Sequence, residues 1–127
     1  MMNKIEKKIL IIEDEESILQ AMIDKFSRQG FEVIKAVNGQ DGLSSALTEH
    51  PDLILLDLLL PIMDGIDLLK KLRADKWGKS VPVIVLTNLS EARKVSEVVD
   101  IGIDDFLIKT DWKLEDLVKK VEKRLGV

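Results

Sequence analysis

At 127 residues, 46% hydrophobic and 33% charged, the chain suits one globular domain with a real core and excludes a disordered segment. It has no cysteine, which excludes disulfides and thiolate chemistry, and its net charge of −4 argues against a nucleic-acid surface. The apolar run Ile9 to Ile12 is too short for a signal peptide, and no run approaches the ~20 residues of a membrane helix, as expected of a cytoplasmic protein.

Residues 1–6 are expected to form a flexible N-terminus. Residues 8–13 read as a first strand ending in acids. Ile18, Leu19, Met22, Ile23 and Phe26 then recur at helical spacing, and Gly30 closes that helix. Residues 31–37 mix Glu32 and Lys35 into an apolar run, which suits an edge strand. Asn38 can cap a second helix with Leu43, Ala46 and Leu47 facing inward, weakened by Gly42. Residues 52–57 hold the most apolar stretch, Leu53-Ile54-Leu55-Leu56, running straight into Asp57, and read as a strand covered on both faces. Asp64 can cap a third helix carrying Ile66, Leu69 and Leu72. After a polar loop around Trp77, residues 81–86 form a fourth strand. Ser90 can cap a fourth helix with Val95, Val98 and Val99, closed by Gly102. Residues 105–108 form a fifth strand, and Leu114, Leu117, Val118, Val121 and Leu125 make an amphipathic last helix.

Five strands alternating with five helices predict an α/β fold, (βα)5, a doubly wound parallel sheet with helices on both faces. With the apolar strands central and the second and fifth at the edges, the order is 2-1-3-4-5, flavodoxin-like, with ligands bound beyond the carboxyl ends of the strands. The sequence stops two residues after Leu125, which reads as a single domain over 1–127 with no output domain.

Glu13, Asp14, Asp57, Thr87 and Lys109 all fall at strand ends on that one rim. Like charges ~4 Å apart repel by ~4 kcal/mol at an effective dielectric of 20, so clustered carboxylates need a counterion. Oxygen ligands without His or Cys favour a hard cation, Mg²⁺. A metal beside Asp57, with a hydroxyl and an ammonium opposite, is a layout for phosphoryl transfer with Asp57 as nucleophile.

These residues resemble a response regulator receiver domain of two-component signalling, the stand-alone type, over nearly the whole chain. Glu13-Asp14 resembles the acidic pair. Asp57 followed by Leu60-Pro61-Ile62-Met63-Asp64-Gly65 is close to D-x-x-[ML]-P-x-[ML]-D-G. Thr87 matches the switch hydroxyl, and Gly102, Asp104-Asp105-Phe106 and Lys109 match G-A-D-D-[YF]-x-x-K. The resemblance implies that Asp57 accepts a phosphoryl group from a histidine kinase or histidine phosphotransfer protein, as in a phosphorelay. It implies Mg²⁺ held by Asp14, Asp57 and the Leu59 backbone carbonyl, with Glu13 acting through water. It also implies a switch in which Thr87 moves inward and Phe106 rotates, changing the face of helix four, strand five and helix five toward an unknown downstream protein. No enzyme activity beyond self-phosphorylation and self-dephosphorylation is expected, nor contact with nucleic acid or membrane. The oligomer would be a monomer or a phosphorylation-dependent dimer.

Three departures carry consequences. Thr110 stands where the family has Pro, so the loop bearing Lys109 is expected to sit differently. Asn88 follows Thr87 where a very small residue is usual, and could crowd the phosphoryl group. The resemblance implies that the positions of Leu59 and Leu89 line the path of the hydrolytic water, and two Leu there predict a long-lived phosphate. Rival readings are a receiver cut from a DNA-binding regulator, a degenerate receiver, and a Mg²⁺-dependent aspartyl-phosphate phosphatase. The last lacks an acid at Leu59. Phe106 is read equally as core or switch, His50 as a solvated loop residue, Trp77 as packing on helix three, and Trp112 as a rim residue of the signalling face. Lys119, Lys120, Lys123 and Arg124 read as a solvated helix face.

Overall fold

The computed structural model describes residues 5–88, 92–109 and 113–127. The expectations for Leu89, Ser90, Thr110 and Trp112 lie outside them.

Strands β1 (Lys8–Ile12), β2 (Glu32–Ala36), β3 (Leu53–Asp57), β4 (Val83–Thr87) and β5 (Asp105–Ile108) form one parallel sheet in the order 2-1-3-4-5. Helices α1 (Glu16–Arg28), α2 (Gly39–Glu49), α3 (Gly65–Ala74), α4 (Ala92–Ile101) and α5 (Leu114–Leu125) make the crossovers. This is the doubly wound fold expected from the alternation. β3 and β4 are buried along their whole length, whereas β2 and β5 are edge strands with exposed positions. Strand bounds shift by one or two residues from those predicted. β1 ends at Ile12, before Glu13, and β4 runs to Thr87.

The sheet divides the core in two. On one face Leu10, Ile12, Ile54, Leu56, Val83 and Val85 pack under α2, α3 and α4. On the other, Ile9, Ile11, Leu53, Leu55, Ile84 and Leu86 pack under α1 and α5. Each buried Leu or Ile contributes ~1.5–3 kcal/mol, so the strand with most of them takes the centre. Ile5, within the segment expected to be flexible, packs against this second face, and its N–H donates to Gly30 O at 3.0 Å.

Local chemistry sets the helix ends. Asn38 Oδ1 accepts from Asp41 N–H at 2.8 Å and Asp64 Oδ1 from Asp67 N–H at 2.9 Å, two of the three caps read from the sequence. α1 runs to Arg28 with Gln29 as its C-cap, so Gly30 closes it at the next position with a positive φ of 101°, as read from the sequence. Gly42 has a packing reason that outweighs its propensity. A Cβ there would lie 2.7 Å from Ile12 Cδ1, so α2 sits close on β1 at Gly42, with Ala46 packed in the same core cluster as Leu10 and Ile12. Leu47, expected inside, is corrected to the surface at 36% exposure, because it lies ~100° around the helix from Ala46. Val99 is likewise exposed on α4, where Val98 carries the burial.

His50 ends α2 with a left-handed φ of 48° and stacks on Trp77, ring centroids 4.3 Å apart and planes 12° from parallel. Trp77 also packs against the core cluster that holds Leu68, Leu69 and Leu72 of α3. The basic face of α5 is only partly solvated. Lys120 pairs with Asp105 at 2.7 Å and Arg124 with Asp104 at 2.6 Å, tying α5 to the start of β5.

One structural residue carries no sequence signal. Arg73 donates to three carbonyls, from Nε to Gly102 at 3.0 Å and from Nη1 to Gly78 at 2.8 Å and Val81 at 2.7 Å. Burial lowers its pKa, against the neighbouring Asp104, but leaves it charged. Arg73→Met should destabilise the fold by ~2–3 kcal/mol, since it orphans several carbonyls. Urea denaturation reads this, and a loss under ~0.5 kcal/mol would show that water replaces the guanidinium.

Candidate functional site

All five strands are parallel, so their carboxyl ends form one rim, and the expected site residues sit there. Glu13 follows β1, and its N–H donates to Ala36 O at 3.0 Å, which ties the chain leaving β1 to the end of β2. Asp57 is the last residue of β3, Thr87 the last of β4, and Lys109 follows β5 with its N–H on Thr87 O at 2.7 Å.

The charges meet as the topology requires. Glu13, Asp14 and Asp57 each offer a carboxylate oxygen within 4.8 Å of the others. Glu13 is fully buried and Asp57 is 4% exposed, while Asp14 faces solvent. Lys109 reaches back across β4. Its Nζ lies 2.5 Å from Glu13 Oε1 and 3.1 Å from Asp57 Oδ2. Leu59 N–H donates to Asp57 Oδ1 at 3.3 Å, so both carboxylate oxygens of Asp57 are oriented. Glu13 Oε2 accepts from Glu15 N–H at 3.1 Å.

One ammonium therefore serves two buried carboxylates. Burial first, and the charge of Glu13 second, push the Asp57 carboxyl up from 3.8 to about 7, against the pull of Lys109. For Lys109 burial works against the charged form, but the hydrogen bond to Glu13 and the Asp57 charge outweigh it and hold its pKa above the usual lysine value. The donor set is oxygen-only, acidic and open toward Asp14, which fits a hard divalent cation. Such an ion would relieve the repulsion that Lys109 alone leaves.

Two expected members sit differently. Thr87 is fully buried, and its Oγ1 donates to Asn88 O at 3.2 Å. Phe106 is 38% exposed on edge strand β5, which sets aside the reading of it as core. Leu59 is 44% exposed beside Asp57.

A family model described as "Response regulator receiver domain" matches residues 9–122, across every element of the sheet. The chain belongs to the response regulator receiver family. The alkaline phosphatase synthesis transcriptional regulatory protein PhoP of Bacillus subtilis is 41% identical over 103 residues, which cover 81% of this chain and 42% of that protein. The receiver spans about half the length, or less, of the curated relatives it matches. Among solved structures, a CheY-like receiver domain protein from Methanospirillum hungatei superposes with a TM-score of 0.88 at 27% identity, covering 96% of this chain and 95% of that one. The receiver domain of the sensor histidine kinase PA1611 from Pseudomonas aeruginosa has a TM-score of 0.82 at 27% identity, covering 97% of this chain and 100% of its own, and its structure has a magnesium ion coordinated in the active site cleft. No helix among the described residues of this receiver is long and apolar enough to cross a membrane.

Two residues near this rim gave no signal of their own in the sequence. Gly39, the first residue of α2, and Ile62, in the loop after Asp57, lie at the turn from Pro61 to Met63, and only backbone geometry reveals them.

Proposed function

We propose that this receiver takes a phosphoryl group from a phosphohistidine, on a histidine kinase or histidine phosphotransfer protein in the cytoplasm, onto Asp57. A carboxylate oxygen of Asp57 forms the P–O bond as the donor's P–N bond breaks, and the electron pair of that bond returns to the imidazole. The observation that carries this reading is the placing of Lys109 Nζ on Asp57 Oδ2 at 3.1 Å, beside the acidic trio. The ammonium is positioned to meet charge developing on the phosphoryl oxygens. Asp14, Asp57 and the Leu59 carbonyl would hold Mg²⁺, with Glu13 behind them. When bound, the ion neutralises phosphoryl charge as a Lewis acid. Leu59 N–H keeps one Asp57 oxygen oriented during attack.

The phosphoryl group then competes for the Thr87 hydroxyl. Turning it inward breaks its 3.2 Å bond to Asn88 O and draws the β4 end with it. Phe106 lies one strand over, paired with Val85 of β4, and follows on the α4–β5–α5 face toward a downstream protein.

The decisive test is incubation with Mg²⁺ and acetyl phosphate, read by intact mass, with fluoroberyllate as the stable mimic. Wild type should gain one phosphoryl mass and the Asp57→Asn variant none. Equal labelling of the two would end the reading.

Leu59 brings no polar group to the water that hydrolyses the acyl phosphate. Leu59→Asn should therefore shorten the phosphoryl half-life about tenfold, ~1.4 kcal/mol of barrier. Timed loss of the phosphoryl mass measures it, and an unchanged half-life would clear Leu59 of that role.

A further inference from the structure

The loop from Asp57 to Gly65 is held in a strained form, and the restraint comes from another helix. Met63 N–H donates to Pro61 O at 2.8 Å, and the residue between them, Ile62, has φ 73°. That is the positive-φ γ-turn, the rare and strained form, and a β-branched residue there is an outlier. Ile62 is 75% exposed, so side-chain packing does not offset the strain. The backbone around it must.

The neighbour that does so is Gly39, the first residue of α2. Its N–H donates to the same Pro61 O at 3.3 Å. A Cβ on Gly39 would sit 1.8 Å from Met63 O and 2.6 Å from Met63 C, so helix and turn meet backbone on backbone. The other end of the loop is closed by Gly65 N–H on Leu58 O at 2.9 Å, where a Cβ would fall 2.7 Å from Asp57 O. Leu59 and Leu60 span the gap between these two anchors. α2 is itself seated on β1 at Gly42, and β1 leads directly into Glu13.

We propose that Gly39 is a positioning residue for the metal-binding loop: by clamping the Pro61–Ile62–Met63 turn it fixes the direction of the Leu59 carbonyl relative to Asp57 and Glu13. This rests on the phosphoacceptor reading, which makes that carbonyl a Mg²⁺ ligand. The consequence is that α2, outside the α4–β5–α5 face, is mechanically part of the metal site.

The test is Mg²⁺ affinity by calorimetry without any phosphodonor, on chains shown folded by circular dichroism. Gly39→Ala pushes Met63 away, and Ile62→Pro forbids the positive φ. Each should weaken Mg²⁺ binding at least tenfold while unfolding stays cooperative. Ile62→Gly keeps the turn accessible and should bind Mg²⁺ within twofold of wild type. Gly39→Ala and Ile62→Pro both binding as wild type would overturn the proposal, and if Gly39→Ala does not fold, Ile62→Pro decides. A third measurement needs no variant. Saturating Mg²⁺ should slow hydrogen exchange at the Gly39 amide of wild type, and unchanged exchange there overturns the clamp. A wild type that binds no Mg²⁺ at all would instead sink the phosphoacceptor reading.

Discussion

Asp57→Asn should abolish phosphoryl uptake and, in metal-free buffer at pH 8, stabilise the fold by ~2–4 kcal/mol. The sign follows from the direction of the shift. Burial and Glu13 raise the Asp57 carboxyl from 3.8 to about 7 in the folded state. A group with a raised folded pKa contributes stability that is fully present below the unfolded value and lost as pH rises through the folded one. Between pH 4 and 7 the wild type therefore loses stability relative to the Asn variant, and above pH 7 the gap is complete. Loss of the contact with Lys109 trims the gain, hence the lower end of the range. Mg²⁺ reverses the order, because it binds the carboxylate form. Its affinity should climb up to tenfold per pH unit below pH 7 and level off above. Urea denaturation at pH 5 and pH 8, with and without Mg²⁺, checks both halves. Parallel pH profiles for the two proteins would refute the account.

Lys109→Met should destabilise the metal-free protein by ~3–5 kcal/mol at neutral pH, because removing one partner of a buried ion pair leaves uncompensated charge. Here it leaves two carboxylates, one fully buried and one 4% exposed. The loss should shrink at pH 5, where Asp57 holds a proton, and shrink again in Lys109→Met/Glu13→Gln. Mg²⁺ should bind the Lys109→Met variant more tightly than wild type, since the competing cation is gone. The same variant should accept phosphate from acetyl phosphate at least a hundredfold more slowly, ~2.7 kcal/mol of barrier. A drop under ~1 kcal/mol in metal-free urea melts would show that Glu13 and Asp57 do not depend on this lysine.

Much of this could be read from one dimension because the strongest signals are local. Leu53 to Leu56 announces a strand dry on both faces, and its neighbours in the sheet follow from which other runs are equally apolar. Asn38 and Asp64 cap helices through their own side chains, within three residues. The stripe on α5 gives Leu117, Val118 and Val121 as its buried face. The site followed because a parallel sheet delivers every strand's end to one rim. What escaped is non-local or backbone-borne. Arg73 finds carbonyls contributed by two separate loops, and no spacing rule points to them. The apolar character of Leu47 points it inward, but α2 meets the sheet through small residues instead. The strand-end position of Lys109 lets it reach across the cleft, but its pairing with Glu13 as well as Asp57 depends on burial that only packing sets. Ile62 offers an ordinary apolar side chain and an extraordinary φ, and only the second matters to the loop.

The parallel order of the sheet has a kinetic consequence. Every strand pairing joins distant segments, and even the nearest, Ile84 with Asp105, closes a loop of 21 residues. The pairing of Ile9 with Leu53, which brings Glu13 toward Asp57, closes one of 44. Loop-closure entropy must be met before such contacts repay it, which places folding in the slower range for a domain of this size. The acidic cluster is complete only when the longest of these closures has occurred, and its ammonium, Lys109, arrives only with the docking of β5. Its repulsion is then a late event, felt more in how fast the native molecule opens than in how fast the chain finds it.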